Sequence, residues 1–378
     1  MMSIKCKILA LIARHPTRYT DTTLDLSRCF LQPRLPESLG QLAGLTTLDL
    51  SECRMLTELP DSLGHLAELR TLNLCNCWAL TGLPESLCRL TALEMLNLDS
   101  CCQLTKIPAS LGQLAALRML NFRCCCKLTE LPESLGQLAA LTTLRLCFCR
   151  TLLHIPESLG RLPSLTLLDI TWCSVLTELP GSLCQLAALD ELHFSQCRLI
   201  TTLPEWTGCL AVLTTLDLDF ACWTELPESL GKLTALKTLT LYRCDALARL
   251  PESLGQLAAL TTLDLGGCVA LTRLPEPLGR LPALAHLNIC NNSSLRQLPL
   301  SFVHLPDGAF SQCFLTGLSA MTFPPEHIVS RGMPAIKAFL FAHNHPLKIL
   351  LLIISARRRR CTRHLPAELW ELIRDEFF

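Results

Sequence analysis

The chain has 378 residues, of which 50% are apolar and 17% charged, and its 33 Lys and Arg balance 33 Asp and Glu. Such a composition excludes a disordered chain and gives no global pull toward nucleic acid or anionic membrane. It allows a large core, built either as two or three ordinary domains or as one elongated one.

The N-terminus, MMSIKCKILALIARHP, carries an apolar run from Ile8 to Ala13 that is shorter than a secretory h-region and lacks a small-residue cleavage site after it. Residues 1–20 are expected to form an N-terminal cap. Without an export signal, the 23 cysteines point to a reducing compartment, where disulfides are rare, and the expected location is the cytoplasm.

From residue 21 to 305 the sequence repeats. Leu-Pro or Ile-Pro pairs place prolines at Pro36, Pro60, Pro84, Pro108, Pro132, Pro156, Pro180 and Pro204 at a spacing of 24 residues, then at Pro227, Pro251, Pro275 and Pro299; only the step to Pro227 is one residue short. One unit reads LTTLDLSECRMLTELPDSLGHLAE, Leu45 to Glu68. Leu48 and Leu50 flank Asp49 with the period of a strand whose leucines point inward. The LPxSLGxL segment is expected to turn and return the chain, proline pre-setting φ and glycine limiting the helical turn. One coil cannot bury its own leucines, so twelve stack into a parallel sheet.

The unit resembles the leucine-rich repeat, L-x-x-L-x-L-x-x-N/C-x-x-L. The fold class expected is α/β: a leucine-rich repeat solenoid of about twelve 24-residue coils, with a parallel concave sheet, short helical turns on the convex side and a C-terminal helical cap. Block LDLGGCVALTRLPEPLG, Leu263 to Gly279, is similar to the repeats of plant intracellular immune receptors. The stretch FPPEHIVSRGMPAIKAFL, Phe323 to Leu340, resembles the end-of-array signature of the intracellular Ras-associated leucine-rich repeat proteins. Pro324, Pro325, Ile328, Val329, Gly332, Ala335, Ile336, Phe339 and Leu340 occupy its positions. The resemblance implies that residues 306–345 cap the last coil. It also implies an intracellular signalling or immune-type role, although no G-x-x-x-x-G-K-[ST] nucleotide motif is present.

The cysteines fall into the same register. Cys29, Cys53, Cys77, Cys101, Cys125, Cys149, Cys173, Cys197, Cys244 and Cys268 stand five residues after each strand's first leucine, and Asn292 closes the column. They are expected to be a structural ladder, small enough to bury and able to bond the backbone at the strand exit. The short coil has Ala221 there, with Cys222 beside it; its missing residue is expected to make a local bulge. In RCCCKL, Arg123 to Leu128, Cys124 and Cys126 flank the ladder residue; Cys126 is expected one coil from Cys102 and Cys125 one coil from Cys101, a two-by-two block. Structural thiols, an oxidation-prone pair and a metal site remain open readings, with no metal or cofactor favoured.

The exposed strand positions carry the variation. Aromatics and arginines concentrate between coils five and ten: Arg123, Arg145, Phe148, Trp172, His193, Phe220, Tyr242 and Arg243. These residue types anchor protein interfaces, and they form the candidate partner-binding site on the concave face. The alternative is that Phe148 and Trp172 stack on each other and cover the sheet. No triad, carboxylate pair or HExxH spacing occurs, so the expectation is a protein that is not an enzyme.

Residues 346–378 form a helical tail, with helices expected from Leu347 to about Arg360 and from Pro366 to about Phe377. LPAELWELI resembles the opening helix of an F-box, which implies adaptor docking; a second capping hairpin is the other reading. Arg357 to Arg360 read either as an import signal or as a solvated helix end. The expected function is a scaffold whose partner is another protein, not nucleic acid, a membrane or a small-molecule substrate. A substrate receptor of a ubiquitin ligase, docked through the tail, is the alternative.

Overall fold

In the computed structural model the described residues are Ile12, Arg14, 20–29, 33–305, 317–325, 328, 331 and 333–344. The F-box-like stretch, both expected tail helices, the run Arg357–Arg360 and most of the N-terminal cap lie outside them. The chain divides into two compact units, Met1–Ile200 and Thr201–Phe378.

The N-terminal unit holds eight three-residue strands, from β1 (Thr23–Asp25) to β8 (Glu191–His193). They pair in parallel and in chain order, and each register step is one whole repeat, as in Leu24↔Leu48 and Leu168↔Leu192. The C-terminal unit holds β9 (Thr215–Asp217), β10 (Thr238–Thr240), β11 (Thr262–Asp264) and β12 (His286–Asn288), paired in the same way. In Thr47–Asp49 the central Leu48 is fully buried while its neighbours are half-buried, so the period of two selects one inward residue per strand. Leu45, Leu50, Leu56, Leu63, Leu66 and Leu69 complete the layer that each coil offers to the next. The fold class is the leucine-rich repeat solenoid.

Each coil returns through a 3-10 turn such as Glu133–Gln137, entered from a proline whose φ of −71° is set by its ring. The turn is short, as expected, and the glycine of LPxSLG is its last residue but one, where the next coil comes too close for a side chain. A Cβ on Gly136 would stand 2.3 Å from the Ser158 carbonyl oxygen. Cys88 and Cys184 take the glycine's place in two coils; the turn after the first is Leu111–Gln113 and the turn after the second keeps its full length, Glu205–Cys209. The glutamate of LPES has a structural task that the sequence did not disclose. Glu133 accepts the Ser158 N–H at 3.1 Å, and Glu276 accepts those of Leu300 and Ser301 at 3.1 Å, so each carboxylate satisfies amides exposed at the start of the following turn. Hydrogen bonding to Ser110 and Ser253 holds the Glu85 and Glu228 carboxyls below the usual range.

The short coil leaves the sheet undisturbed: Thr215 pairs with Thr238 and Leu216 with Leu239. The deletion is absorbed after the strand, where the second two-residue turn found in neighbouring coils is missing and Trp223 is fully buried. At the end of the C-terminal unit, α1 (Met333–Asn344) packs on the last 3-10 turn, Leu300–His304. Ile336, Phe339 and Leu340 are buried, the Phe323 and Phe339 rings meet at 5.3 Å, and Lys337 Nζ donates to the Leu305 carbonyl at 2.8 Å. This helix shields the final leucines from water, as a cap must.

Candidate functional site

The side chains that differ between coils emerge where the chain leaves each strand. The last strand residue is most often Asp or Asn, and its side-chain oxygen accepts the N–H two residues on. Asp49 accepts from Ser51 at 2.8 Å, Asn121 from Arg123 at 3.0 Å and Asp169 from Thr171 at 3.1 Å. Neighbouring amides also link along the column, as Asn121 Nδ2 donates to Asn97 Oδ1 at 3.0 Å. Most of this column is therefore structural. Arg145 and His193 occupy it without an Asx-type oxygen to offer.

Three residues beyond the strand's end comes a second column with a backbone constraint that the sequence did not announce. Arg28, Glu52, Asn76, Ser100, Cys124, Phe148, Trp172, Gln196, Phe220, Arg243 and Asn291 all have φ between 55° and 63°, and Gly267 has φ 76°. They are turn residues in the left-handed region, not strand residues as expected. For side chains other than Gly and Asn this conformation costs on the order of 1 kcal/mol each. A bond to the next coil enforces it: the Phe148 N–H donates to the Thr171 carbonyl and the Trp172 N–H to that of Ser195, both at 2.8 Å.

The eight candidate residues divide between the two units, where ring contacts join Arg123, Phe148 and Trp172 in one and Phe220, Tyr242 and Arg243 in the other. In the N-terminal unit Phe148 and Trp172 stack with centroids 5.5 Å apart and planes inclined by 12°. The Arg123 guanidinium lies 5.8 Å from the Phe148 centroid and 3.5 Å from an Asp99 oxygen, which raises its pKa. Arg150, which the sequence reading passed over, lies 5.9 Å from the Phe148 ring and 5.7 Å from the Trp172 ring. Arg145 is exposed, and among the described residues no carboxylate lies within ion-pair distance of Arg145 or Arg150. His193 faces Asp169 in the register, with its Nε2 3.3 Å from Glu191 Oε2.

In the C-terminal unit Phe220 and Tyr242 meet edge to face at 5.4 Å, and the Arg243 guanidinium lies 5.7 Å from the Phe220 centroid. The surrounding charge has the other sign. Asp219 accepts the Tyr242 N–H at 2.7 Å, yet burial first, and then Asp217 and Asp264, push its carboxyl up to about 6. A carboxyl raised from 3.8 binds protons in the folded state that the unfolded chain has lost, so stability falls as pH rises from about 4 through 6. Asp219→Asn keeps the acceptor and removes the charge. It is expected to gain about 1 kcal/mol above pH 7, after allowance for solvent screening at this half-buried group, and nothing at pH 4. Thermal melts of both proteins at the two pH values check this; an equal gain at pH 4 would refute the electrostatic cause.

The cysteine column is buried and bonded to the backbone. Each thiol donates to the carbonyl of an inward residue of the preceding coil: Cys53 to Leu26 at 3.2 Å, Cys77 to Leu50 at 3.1 Å, Cys101 to Leu74 at 3.2 Å and Cys125 to Leu98 at 3.3 Å. Cys149, Cys173 and Cys197 continue it at 3.1 to 3.3 Å. In the C-terminal unit Cys244 and Cys268 donate to Leu218 and Leu241, and Asn292 Nδ2 closes the series on Leu265 at 3.0 Å. Cys29 is buried in the first coil. Among the described residues every cysteine is a free thiol, and no group of three or more His, Cys, Asp or Glu is placed to hold a metal. Cys126 donates to the Cys124 carbonyl at 3.4 Å and Cys102 to that of Ser100 at 3.5 Å. No described helix is long and apolar enough to cross a membrane.

A family model described as "Leucine-rich repeat region" matches residues 22–150. The chain is similar to a solved leucine-rich repeat protein of Leptospira interrogans, at 26% identity over 72% of either chain and a TM-score of 0.52. It is also similar to a TDR receptor, at 23% identity over 80% of this chain and 56% of that one, with a TM-score of 0.55. No curated protein matches it significantly. Matched repeats, coil geometry and these likenesses agree that the fold is that of a leucine-rich repeat protein.

Proposed function

We propose that this chain is a non-catalytic protein-recognition module, and that the strand-exit turns of its N-terminal unit hold the principal binding surface. The observation that carries this reading is the Phe148–Trp172 stack with Arg123 and Arg150 over its rings, and with Arg145 exposed on the same coil as Phe148. Aromatic and arginine side chains dominate interface energies, commonly about 2 kcal/mol or more apiece. Arg145 also replaces the Asx oxygen that caps the strand ends of other coils, a local loss that a binding role would repay. The cytoplasm is the proposed setting, supported by the ladder of thiols, since a disulfide would remove each donor it used. An intracellular signalling or immune-type role follows from the likeness of the repeats to those families.

The double variant Phe148→Ala with Trp172→Ala tests the reading. Alanine, unlike glycine, leaves the cost of positive φ in place, so only the side chains are lost. The variant is expected to melt within about 1 kcal/mol of the wild type while losing the main partner recovered by affinity capture. A control variant at the separate exposed pair Met55 and Trp78, 57% and 45% exposed, is expected to keep it. A large loss of stability with partner capture intact would instead show that the stack only covers the sheet.

A further inference from the structure

We infer that the surface around Phe148 and Trp172 selects an acidic segment of its partner protein, its carboxylates meeting Arg145 and Arg150 and an apolar or aromatic side chain lying against the ring stack. This rests on the recognition surface proposed above and adds the chemistry of what it takes.

Of the three arginines, Arg123 is already paired with Asp99 at 3.5 Å. Arg145 and Arg150 are exposed and have no carboxylate within ion-pair distance among the described residues. Asp169, which faces Arg145 in the sheet register, has its Oδ1 committed to the Thr171 N–H at 3.1 Å. Two exposed guanidinium groups, five residues apart on one coil, therefore have their donors available.

Arg150 is held 5.9 Å and 5.7 Å from the centroids of two rings that are themselves fixed by mutual stacking and by left-handed backbone. A guanidinium restrained in this way loses less freedom on binding than an arginine free in solvent, and its planar fork matches a carboxylate through two parallel hydrogen bonds. The rings supply apolar area beside it, so one segment can satisfy both with alternating acidic and apolar residues.

The C-terminal unit gives the contrast that makes the sign meaningful. Its aromatic pair, Phe220 and Tyr242, lies beside Asp217 and Asp219, with Asp264 close enough to raise the Asp219 carboxyl as well. Those carboxylates disfavour an acidic segment there, even though Arg243 lies 5.7 Å from the Phe220 centroid. The chain is neutral as a whole, so the preference is local to the N-terminal patch. It is also screened by salt, as contacts between exposed charges are.

Random peptides displayed on phage and panned against the full-length chain give the test, with three proteins compared. The wild type is expected to enrich peptides at least severalfold in Asp and Glu, with binding that weakens at high salt. The variant Arg145→Glu with Arg150→Glu is expected to turn the enrichment toward Lys and Arg. The variant Phe148→Ala with Trp172→Ala is expected to enrich nothing that the wild type selects, and circular dichroism of both variants confirms that they are folded. Wild-type peptides that require the rings but are neutral or basic overturn this inference and leave the recognition surface standing. Peptides that bind the ring variant as well as the wild type overturn the recognition surface itself, and a wild type that enriches no peptide overturns the inference outright.

Discussion

The N-terminal unit is expected to unfold cooperatively between about pH 9 and 11, well before its arginines or backbone are affected. Burial raises the thiols of Cys77, Cys101, Cys125, Cys149, Cys173 and Cys197 above their ordinary 9.0, to about 12 at Cys77 and Cys197. In the folded chain each stays protonated as pH rises through 9, while in the unfolded chain each ionises. The folded state then binds more protons, and its stability falls by about 1.4 kcal/mol per thiol per pH unit. The contribution is fully present below pH 9 and lost above it. Six such groups reach on the order of 8 kcal/mol by pH 10, comparable to the whole stability of an ordinary domain. Circular dichroism and thiolate absorbance followed together against pH check it. A steep rise of thiolate absorbance is expected to coincide with loss of the fold, on top of any signal from thiols outside the ladder such as the exposed Cys209; a fold that persists at pH 11 would contradict the prediction.

Replacing Cys125 by aspartate is expected to abolish folding of that unit or cost it more than about 3 kcal/mol, because a carboxylate would be buried with no cation to meet it. Cys125 is fully buried, and its thiol donates to the Leu98 carbonyl; an ionised carboxyl offers that carbonyl no proton. Cys125→Asn is the informative control, since Asn292 fills the same place and bonds Leu265 and Ile289. Denaturant melts of the three proteins should therefore rank wild type and Asn near each other and Asp far below. An aspartate variant as stable as the wild type would mean that this column is not buried structure.

These two predictions rest on features that were legible in the sequence, because they repeat. Leu48, Cys53 and Pro60 recur with one period, and a period of 24 with a strand's alternation inside it leaves few folds open. Other features were hidden because their cause lies in the neighbouring coil. Glu133 resembles a generic solvated acid until Ser158 is seen above it, and Gly136 resembles a helix breaker until the Ser158 carbonyl is found against it. The left-handed column was hidden for another reason. Positive φ is ordinarily announced by Gly or Asn, and here only Asn76, Gly267 and Asn291 give that sign, while Arg28, Phe148 and Trp172 are held there by bonds to the next coil.

The candidate site was legible by residue type but not by charge. Sequence alone gathered Phe148, Trp172, Phe220 and Tyr242 into one aromatic and arginine-rich region. The structure divides them between two units, one bearing Arg145 and Arg150, which have no ion-pair partner among the described residues, and the other a raised aspartate. Arg150 was overlooked because it follows the ladder residue Cys149 and so belongs to a column with no strand position. Only its reach back over both rings brings it into the patch.

The central claim is that partners are bound by the strand-exit turns of the N-terminal unit. Hydrogen–deuterium exchange of the full chain, with and without its captured partner, tests that most directly. The account predicts slowed exchange over residues 121–126, 145–150 and 169–173, with the 3-10 turns unchanged. Protection confined to the turns Glu133–Gln137 and Glu157–Arg161, with the Phe148 and Trp172 segments unaffected, would contradict it.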